Sequence, residues 1–379
     1  MSSIALMIPT LDRIGGAERQ VILLAKGLSK RGWHVSMVAL SGTGEQVAGE
    51  LAAEGVKFLS LEMRKGLADP RGWIRFHRWL LCERPDIVHA NLPHAAWLAR
   101  WSRLASPVRV VLDTIHTSAT GTLSRRLGYR RSSWLPDRVT AVSDSAAVAY
   151  LSARLVPLNG LTVLPNGIDI KQWKPDLLLR KALRHQLGLA DEFLWLAAGR
   201  LEPVKDYPAL LRAMRRIPAP ARLVIAGNGP LEGQLRHLAA ELGLTHRIQF
   251  LGFEPDLLPW MQAADGFVLA SRWEGLPMGL LEAAACALPA VATDVAGSRE
   301  VVVDGYTGIL TPPANPEALA MAMNRLMETP LKERNAMGER ARQSVMERYD
   351  LERVLSRWES LYSTLLEQNP LPLRWGRAH

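Results

Sequence analysis

Short apolar runs recur along most of this chain, and stretches with helical spacing separate them. Runs at 4–9, 34–40, 56–61, 86–90, 108–116 and 138–143 are rich in Val, Ile and Leu, with little polar alternation. A strand that is apolar on both faces must be covered on both faces, which is the condition of a parallel sheet between two layers of helices. Helical stretches at 17–30, with Val21, Leu24 and Leu28 on one face, at 95–104 and at 144–153 lie between the runs. This alternation predicts a doubly wound α/β sheet whose ligands bind beyond the carboxyl ends of its strands. A strand at 161–164 and the turn Pro165-Asn166-Gly167 end the first series. A second begins at 193–199 and runs through 222–227, 248–252, 266–270, 289–293 and 308–310. A length of 379 residues fits two such domains. The expected division is 1–166 and 167–379, with a hinge near 166–175. From Glu317 onward the second domain is expected to be largely helical, ending in a long helix at 350–367.

Hydrophobic residues make up 48% of the chain and charged residues 22%, as in a soluble globular protein. Cys82 and Cys286 lie far apart in helix-like segments, which predicts reduced core thiols in a cytoplasmic protein and no disulfide framework. No apolar run is long enough to span a bilayer, and the first nine residues resemble a strand more than a signal peptide. The net charge of +9 is unevenly placed. Residues 1–166 hold 21 Lys and Arg against 12 Asp and Glu, whereas residues 167–379 hold 25 of each. An excess confined to one half points to an acidic partner for that half, either anionic lipid or nucleic acid.

Candidate site residues collect at the carboxyl ends of the expected strands. The run at 266–270 leads into Glu274-Gly275-Leu276-Pro277-Met278-Gly279-Leu280-Leu281-Glu282, a tight turn that opens a helix. Amides at a helix start, together with the positive end of its dipole, attract an anion. Glu274 and Glu282 can accept hydrogen bonds from hydroxyls of the molecule carrying that anion, and a phosphate-bearing, hydroxyl-rich molecule is a nucleotide sugar. After 193–199 comes Gly199-Arg200-Leu201-Glu202-Pro203-Val204-Lys205, where Arg200 and Lys205 can neutralise a diphosphate. Gly227-Asn228-Gly229-Pro230 follows 222–227, and Gly15-Gly16 opens the first helix. Either glycine turn serves equally as a ligand contact or as ordinary punctuation. His116 leaves the run at 108–116, where it can bond a sugar hydroxyl or remain structural. No acidic cluster with metal-ligand spacing is visible, so no metal is expected.

Taken in order, Gly15-Gly16-Ala17-Glu18, Pro165-Asn166-Gly167-Ile168-Asp169, Gly199-Arg200 with Lys205, Gly227-Asn228-Gly229-Pro230, Phe250-Leu251-Gly252 and the Glu274/Glu282 element resemble glycosyltransferase family 4. The resemblance covers nearly the whole chain. It implies the GT-B fold, two Rossmann-like domains facing a cleft, and transfer of a sugar with retention by front-face attack. It also implies roles for the matched residues. Arg200 and Lys205 would hold the donor diphosphate, with a backbone contact from Gly16. Glu282 would bind the ribose, Glu274 the transferred sugar, and the amides from Leu276 to Leu280 the sugar and phosphate. His116 would face the anomeric side. Leu276 departs from many members, which carry an aromatic residue there. The donor is a co-substrate, so no separate cofactor is expected.

Other expectations are weaker on the same residues. A GT-B epimerase would need more acid/base groups, and a two-lobed sugar-binding protein would not need basic anion-binding turns. No nucleic-acid motif accompanies the positive half. The acceptor is expected to be a glycan or a lipid-linked glycan used in cell-surface polysaccharide assembly. Two stretches mix aromatics with arginines, one containing Trp73 and Trp79, the other Arg125, Arg126, Arg130, Arg131 and Trp134. They predict peripheral binding of the N-terminal domain to an anionic inner membrane face. For the Trp73 stretch, packing of its apolar side on the sheet is an equal expectation.

Overall fold

The computed structural model describes residues 2–12, 14–64, 69–106 and 108–370. It divides into two compact units, Met1–Gly167 with Glu352–His379, and Ile168–Leu351. The first unit is built on seven parallel strands: β1 (Ser3–Thr10), β2 (His34–Ser41), β3 (Lys57–Ser60), β4 (Ile87–Asn91), β5 (Val110–Ile115), β6 (Arg138–Ala141) and β7 (Leu161–Val163). Their order is β3-β2-β1-β4-β5-β6-β7. The second is built on six: β8 (Phe193–Ala198), β9 (Ala221–Ala226), β10 (Ile248–Gly252), β11 (Gly266–Leu269), β12 (Ala290–Thr293) and β13 (Gly308–Thr311), in the order β10-β9-β8-β11-β12-β13. Every pairing of neighbouring strands is parallel. The doubly wound architecture expected from the apolar runs is present in both halves.

Strand order fixes where ligands can bind. A doubly wound sheet has one place where successive connections leave to opposite sides, and the loops there open a crevice at the carboxyl edge. In the first unit that place lies between β1 and β4, in the second between β8 and β11. The loop after β8 begins at Gly199 and the loop after β11 contains Glu274, so both candidate segments of the second unit flank its switch point.

One element differs from the sequence expectation. Spacing along the chain places residues 350–367 in the second domain, but the helix Leu351–Gln368 packs within the first unit almost from its start. Its buried stripe, Val354, Leu355, Trp358, Tyr362 and Leu365, covers the helix Gly16–Lys30 and the strand β4. Gly27 lies so close to Leu355 that a Cβ there would meet its side chain at 2.4 Å. His89, fully buried on β4, bonds Tyr362 Oη at 2.8 Å through Nδ1 and Thr114 Oγ1 at 2.6 Å through Nε2. Burial pushes the pKa of His89 down to about 3, so the ring is neutral. At the surface, Arg31 bridges Glu352 and Glu359, and Trp33 Nε1 donates to Glu359 at 3.0 Å.

The two Trp/Arg stretches have different fates. In the helix Pro70–Glu83, Phe76 and Leu80 are buried, Trp73 and Trp79 are half-buried against other rings, and Arg71, Arg75 and Arg78 are solvated. That is the packed alternative. The helix Leu123–Arg131 buries only Tyr129. The Tyr129 ring lies under the Arg100 guanidinium, 3.9 Å from its centroid, and its hydroxyl donates to the Asp113 carboxylate. Arg100 and Asp113 form a two-pronged ion pair at 2.9 and 3.0 Å, and both are buried. The rest of that helix, including Leu123, Leu127 and all four arginines, faces water, as does Trp134 just beyond it.

Candidate functional site

The loops after β8 and β11 are braced together by three contacts, and a fourth fixes Glu274 within its own loop. Arg272 N donates to Val204 O at 2.8 Å, and Arg272 Nε bonds Asp206 Oδ2 at 2.9 Å. Lys205 Nζ pairs with Glu274 Oε1 at 2.6 Å, and Ser271 Oγ donates to the same Oε1 at 2.5 Å. Ser271 is itself fully buried, and its carbonyl accepts from Thr293 Oγ1 at 2.6 Å. Two residues that the sequence brings forward separately, Lys205 and Glu274, are therefore direct partners across 69 positions. Neither Ser271 nor Thr293 was expected in this cluster. A Ser three residues before the acid was the available signal.

Lys205 ends a short 3-10 turn, Pro203–Lys205, and Asp206 continues it in the left-handed region at φ 46°. The ion pair with Arg272 holds Asp206 there. Arg200 sits differently: its side chain is 69% exposed and pairs with Glu202 at 3.0 Å, so it is available at the loop's outer edge. Behind the loop, Tyr207 donates to Gly199 O at 3.0 Å, and burial followed by the nearby Glu274 charge raises its pKa, keeping it protonated.

The segment after Glu274 forms the tight turn into a helix that its sequence suggests. Gly275, Leu276 and Pro277 are buried, and Pro277 caps the helix Met278–Ala285. Gly279 lets that helix approach Phe267, since a Cβ would meet the ring at 2.9 Å. Leu280 points into the core, and Glu282, one helical turn after Met278, is 5% exposed. A helix start with a buried carboxylate on its first turns can accept both an anion and hydroxyls.

The glycine turns are explained in part by packing. At Gly227 a Cβ would lie 2.0 Å from Gly199 O, and at Gly229 it would lie 2.6 Å from Leu201 O. Asn228 O accepts from Leu201 N at 2.8 Å, while the residue itself is exposed. These glycines allow the exits of β8 and β9 to cross closely. In the first unit, Gly15 N donates to Glu18 Oε2 at 3.0 Å, so the start of the helix Gly16–Lys30 is capped by its own carboxylate. His116 follows β5 next to the carboxyl end of β4. Asn91 Nδ2 faces Met7 O at 3.4 Å, which turns Asn91 Oδ1 toward His116 Nε2 at 2.9 Å. That network assigns the proton to Nε2 and leaves Nδ1, buried and without a partner among the described residues, as an acceptor. Burial lowers the His116 pKa to about 4, which fixes the neutral form. Among the described residues no group of three His, Cys, Asp or Glu side chains has metal-binding geometry.

Two parallel doubly wound sheets, one with a paired cation and carboxylate beside a helix start at its switch point, define a protein of the double-Rossmann class. Comparison with known proteins makes this specific. The model described as Glycosyltransferase Family 4 matches residues 14–172, and that described as Glycosyl transferases group 1 matches residues 180–344. The glycogen synthase of Mycobacterium tuberculosis is 30% identical over 303 residues, 74% of this chain and 69% of that one. The UDP-Gal:alpha-D-GlcNAc-diphosphoundecaprenol alpha-1,3-galactosyltransferase of Escherichia coli is 24% identical over 310 residues, 78% and 80% of the two chains. The crystal structure of Anabaena HepE in complex with UDP and glucose superimposes with a TM-score of 0.86 at 22% identity, covering 96% of this chain and all of that one. The chain belongs to the family 4 glycosyltransferases of GT-B fold, and it is a glycosyltransferase.

Proposed function

We propose that the second unit binds a nucleotide sugar at the loops after β8 and β11, and that the enzyme transfers the sugar with retention to a lipid-linked or glycan acceptor. The observation that carries this reading is the cluster of Lys205, Ser271 and Glu274 beside the helix that bears Glu282, all at one switch point. Breaking the bond between sugar and diphosphate builds negative charge on the leaving phosphate. Lys205, Arg200 and the positive end of the helix Met278–Ala285 interact more strongly with that charge than with the ground state, which lowers the barrier. Glu282 holds the ribose and Glu274 the sugar. Asn228 lies at the rim. In the first unit, the Gly15 amide is already given to the Glu18 carboxylate.

The lipid-linked acceptor is proposed because the Escherichia coli relative is named for one, and because the first unit offers a surface suited to an anionic membrane. Arg125, Arg126, Arg130 and Arg131 form no ion pair among the described residues, and Leu123, Leu127 and Trp134 stand exposed among them. Where this helix ends, Arg130, Ser133, Arg154 and Leu158 help line a crevice of about 570 Å³. Each Lys or Arg held near anionic lipid contributes about 1 kcal/mol, so four suffice for reversible attachment. No helix among the described residues is long and apolar enough to cross a membrane.

The donor assignment is tested by calorimetry with UDP-, GDP- and ADP-sugars. Glu282→Ala and Arg200→Ala should each raise the donor Kd while leaving the melting curve in place. Wild-type affinity in both variants would remove the donor from this site.

A further inference from the structure

Glu274 sits beside the cation that the proposed function assigns to the diphosphate. Its Oε1 lies 2.6 Å from Lys205 Nζ and is held there by the buried Ser271 hydroxyl at 2.5 Å. The side chains of Lys205 and Glu274 are 20% and 12% exposed, so solvent screens the pair only in part. A phosphate drawn to Lys205 therefore approaches a fixed carboxylate of its own sign. The two nucleotides of the reaction differ in how they meet it. The donor's outer phosphate is esterified by the sugar, carries one charge, and brings sugar hydroxyls that donate to Glu274. The spent nucleoside diphosphate ends in a free phosphate with a second ionisation near pH 6, and it brings no such hydroxyls. The carboxylate is thus attractive to one ligand and repulsive to the other.

We propose that Glu274, positioned by Ser271, makes this site discriminate against free nucleoside diphosphate, favouring donor over product and promoting product release. The inference rests on the assignment of Lys205 to the diphosphate. It goes further in giving Glu274 opposite effects on the two ligands, and it makes Ser271 a positioning residue. Nothing in the pattern of acidic residues would distinguish this from simple sugar binding. A carboxylate that only holds the sugar leaves the affinity for free nucleotide unchanged when it is removed.

The test measures Kd for UDP, GDP and ADP, and for the matching nucleotide sugars, in wild type and in Glu274→Gln, Ser271→Ala, Ser271→Thr and Lys205→Met. Glu274→Gln should bind the cognate nucleoside diphosphate about fivefold more tightly, the scale of one partly screened charge contact. The same variant should bind the nucleotide sugar more weakly. Ser271→Ala should move both constants the same way by a smaller factor, and Ser271→Thr, which keeps the hydroxyl, should restore the wild-type ratio. In steady state, the ratio of the product inhibition constant to the donor KM should fall in Glu274→Gln and Ser271→Ala. Unchanged or weaker diphosphate binding in Glu274→Gln overturns the inference. Lys205→Met separates the two layers: if it leaves diphosphate binding unchanged, the underlying site assignment fails as well. If it weakens that binding while Glu274→Gln does not strengthen it, only the discrimination fails.

Discussion

Replacing Arg100 by Met should destabilise the first unit severely, and the size of the loss follows from what is left behind. Arg100 and Asp113 are 1% and 0% exposed, and two hydrogen bonds at 2.9 and 3.0 Å join them. Arg100 also donates to Tyr129 O at 3.2 Å and Ser132 Oγ at 3.1 Å. Removing the cation strands a carboxylate in the core, with only the Tyr129 hydroxyl to support it. Breaking a buried pair from one side costs about 3–5 kcal/mol. For a unit of this size that corresponds to a drop of roughly 6–20 °C in Tm. The double variant Arg100→Met with Asp113→Leu should be more stable than Arg100→Met alone, because the orphaned charge is gone. Differential scanning calorimetry of the full chain, with the three variants compared, reads this directly. A loss below about 1 kcal/mol in the single variant, or a double variant whose loss equals the sum of the two singles, would refute the reasoning. The consequence reaches the surface: Tyr129 is the one buried anchor of the arginine-rich helix Leu123–Arg131, so this ion pair holds the proposed membrane-facing element in place.

The remaining expectations are quicker to state. Sedimentation with vesicles should require anionic lipid and weaken when Arg125, Arg126, Arg130 and Arg131 become Ser; equal partitioning onto neutral vesicles argues against the surface. If Arg200 and Lys205 carry the diphosphate charge, transfer continues in excess EDTA, and activity that vanishes and returns with Mg²⁺ contradicts that. Stability should depend on pH through His89, whose folded-state pKa of about 3 lies below the ordinary 6.5. Between those values the unfolded chain binds a proton that the folded one does not. Stability is therefore full above pH 6.5 and falls on acidification, by up to about 1.4 kcal/mol per pH unit. Urea titrations should show His89→Gln with a shallower slope from pH 6 to 4, and identical slopes would exclude the buried neutral ring as the cause.

Much of this architecture is legible from residue patterns because the physics is local. Runs such as 193–199 and 266–270 are apolar on both faces, and only a covered parallel strand satisfies them. Strand ends then locate the loops. Pairings between distant segments are harder. The stripe Val354, Leu355, Trp358 and Tyr362 says which face of the last helix is buried, but its partners Gly27 and His89 are more than 260 residues away. The Lys205–Glu274 pair is hidden for the same reason, since each residue suits a phosphate or sugar on its own. Glycines mislead in another way: Gly227 reads equally as a ligand contact or a turn, and the 2.0 Å approach to Gly199 O supplies a packing reason of its own. The two Trp/Arg helices look alike in composition, and only the presence of Phe76 and Leu80 on one stripe separates the packed one from the exposed one.

The placement of the last helix sets an order of events during synthesis. The second unit is one continuous stretch, Ile168–Leu351, and nearly every strand and helix it needs is synthesised before the helix Leu351–Gln368. The first unit is not: it precedes the second, yet the helix that covers β4 and the helix Gly16–Lys30 is translated only after the second unit. Until then Gly27, Trp33 and His89 lack their cover, and the nascent first unit presents a sticky face through the whole elongation of the second. Maturation therefore finishes out of register with translation, the later-encoded half closing before the earlier one. A chain shortened before Leu355 would lose the part that seals its oldest portion, making the N-terminal half the first to engage chaperones and proteases.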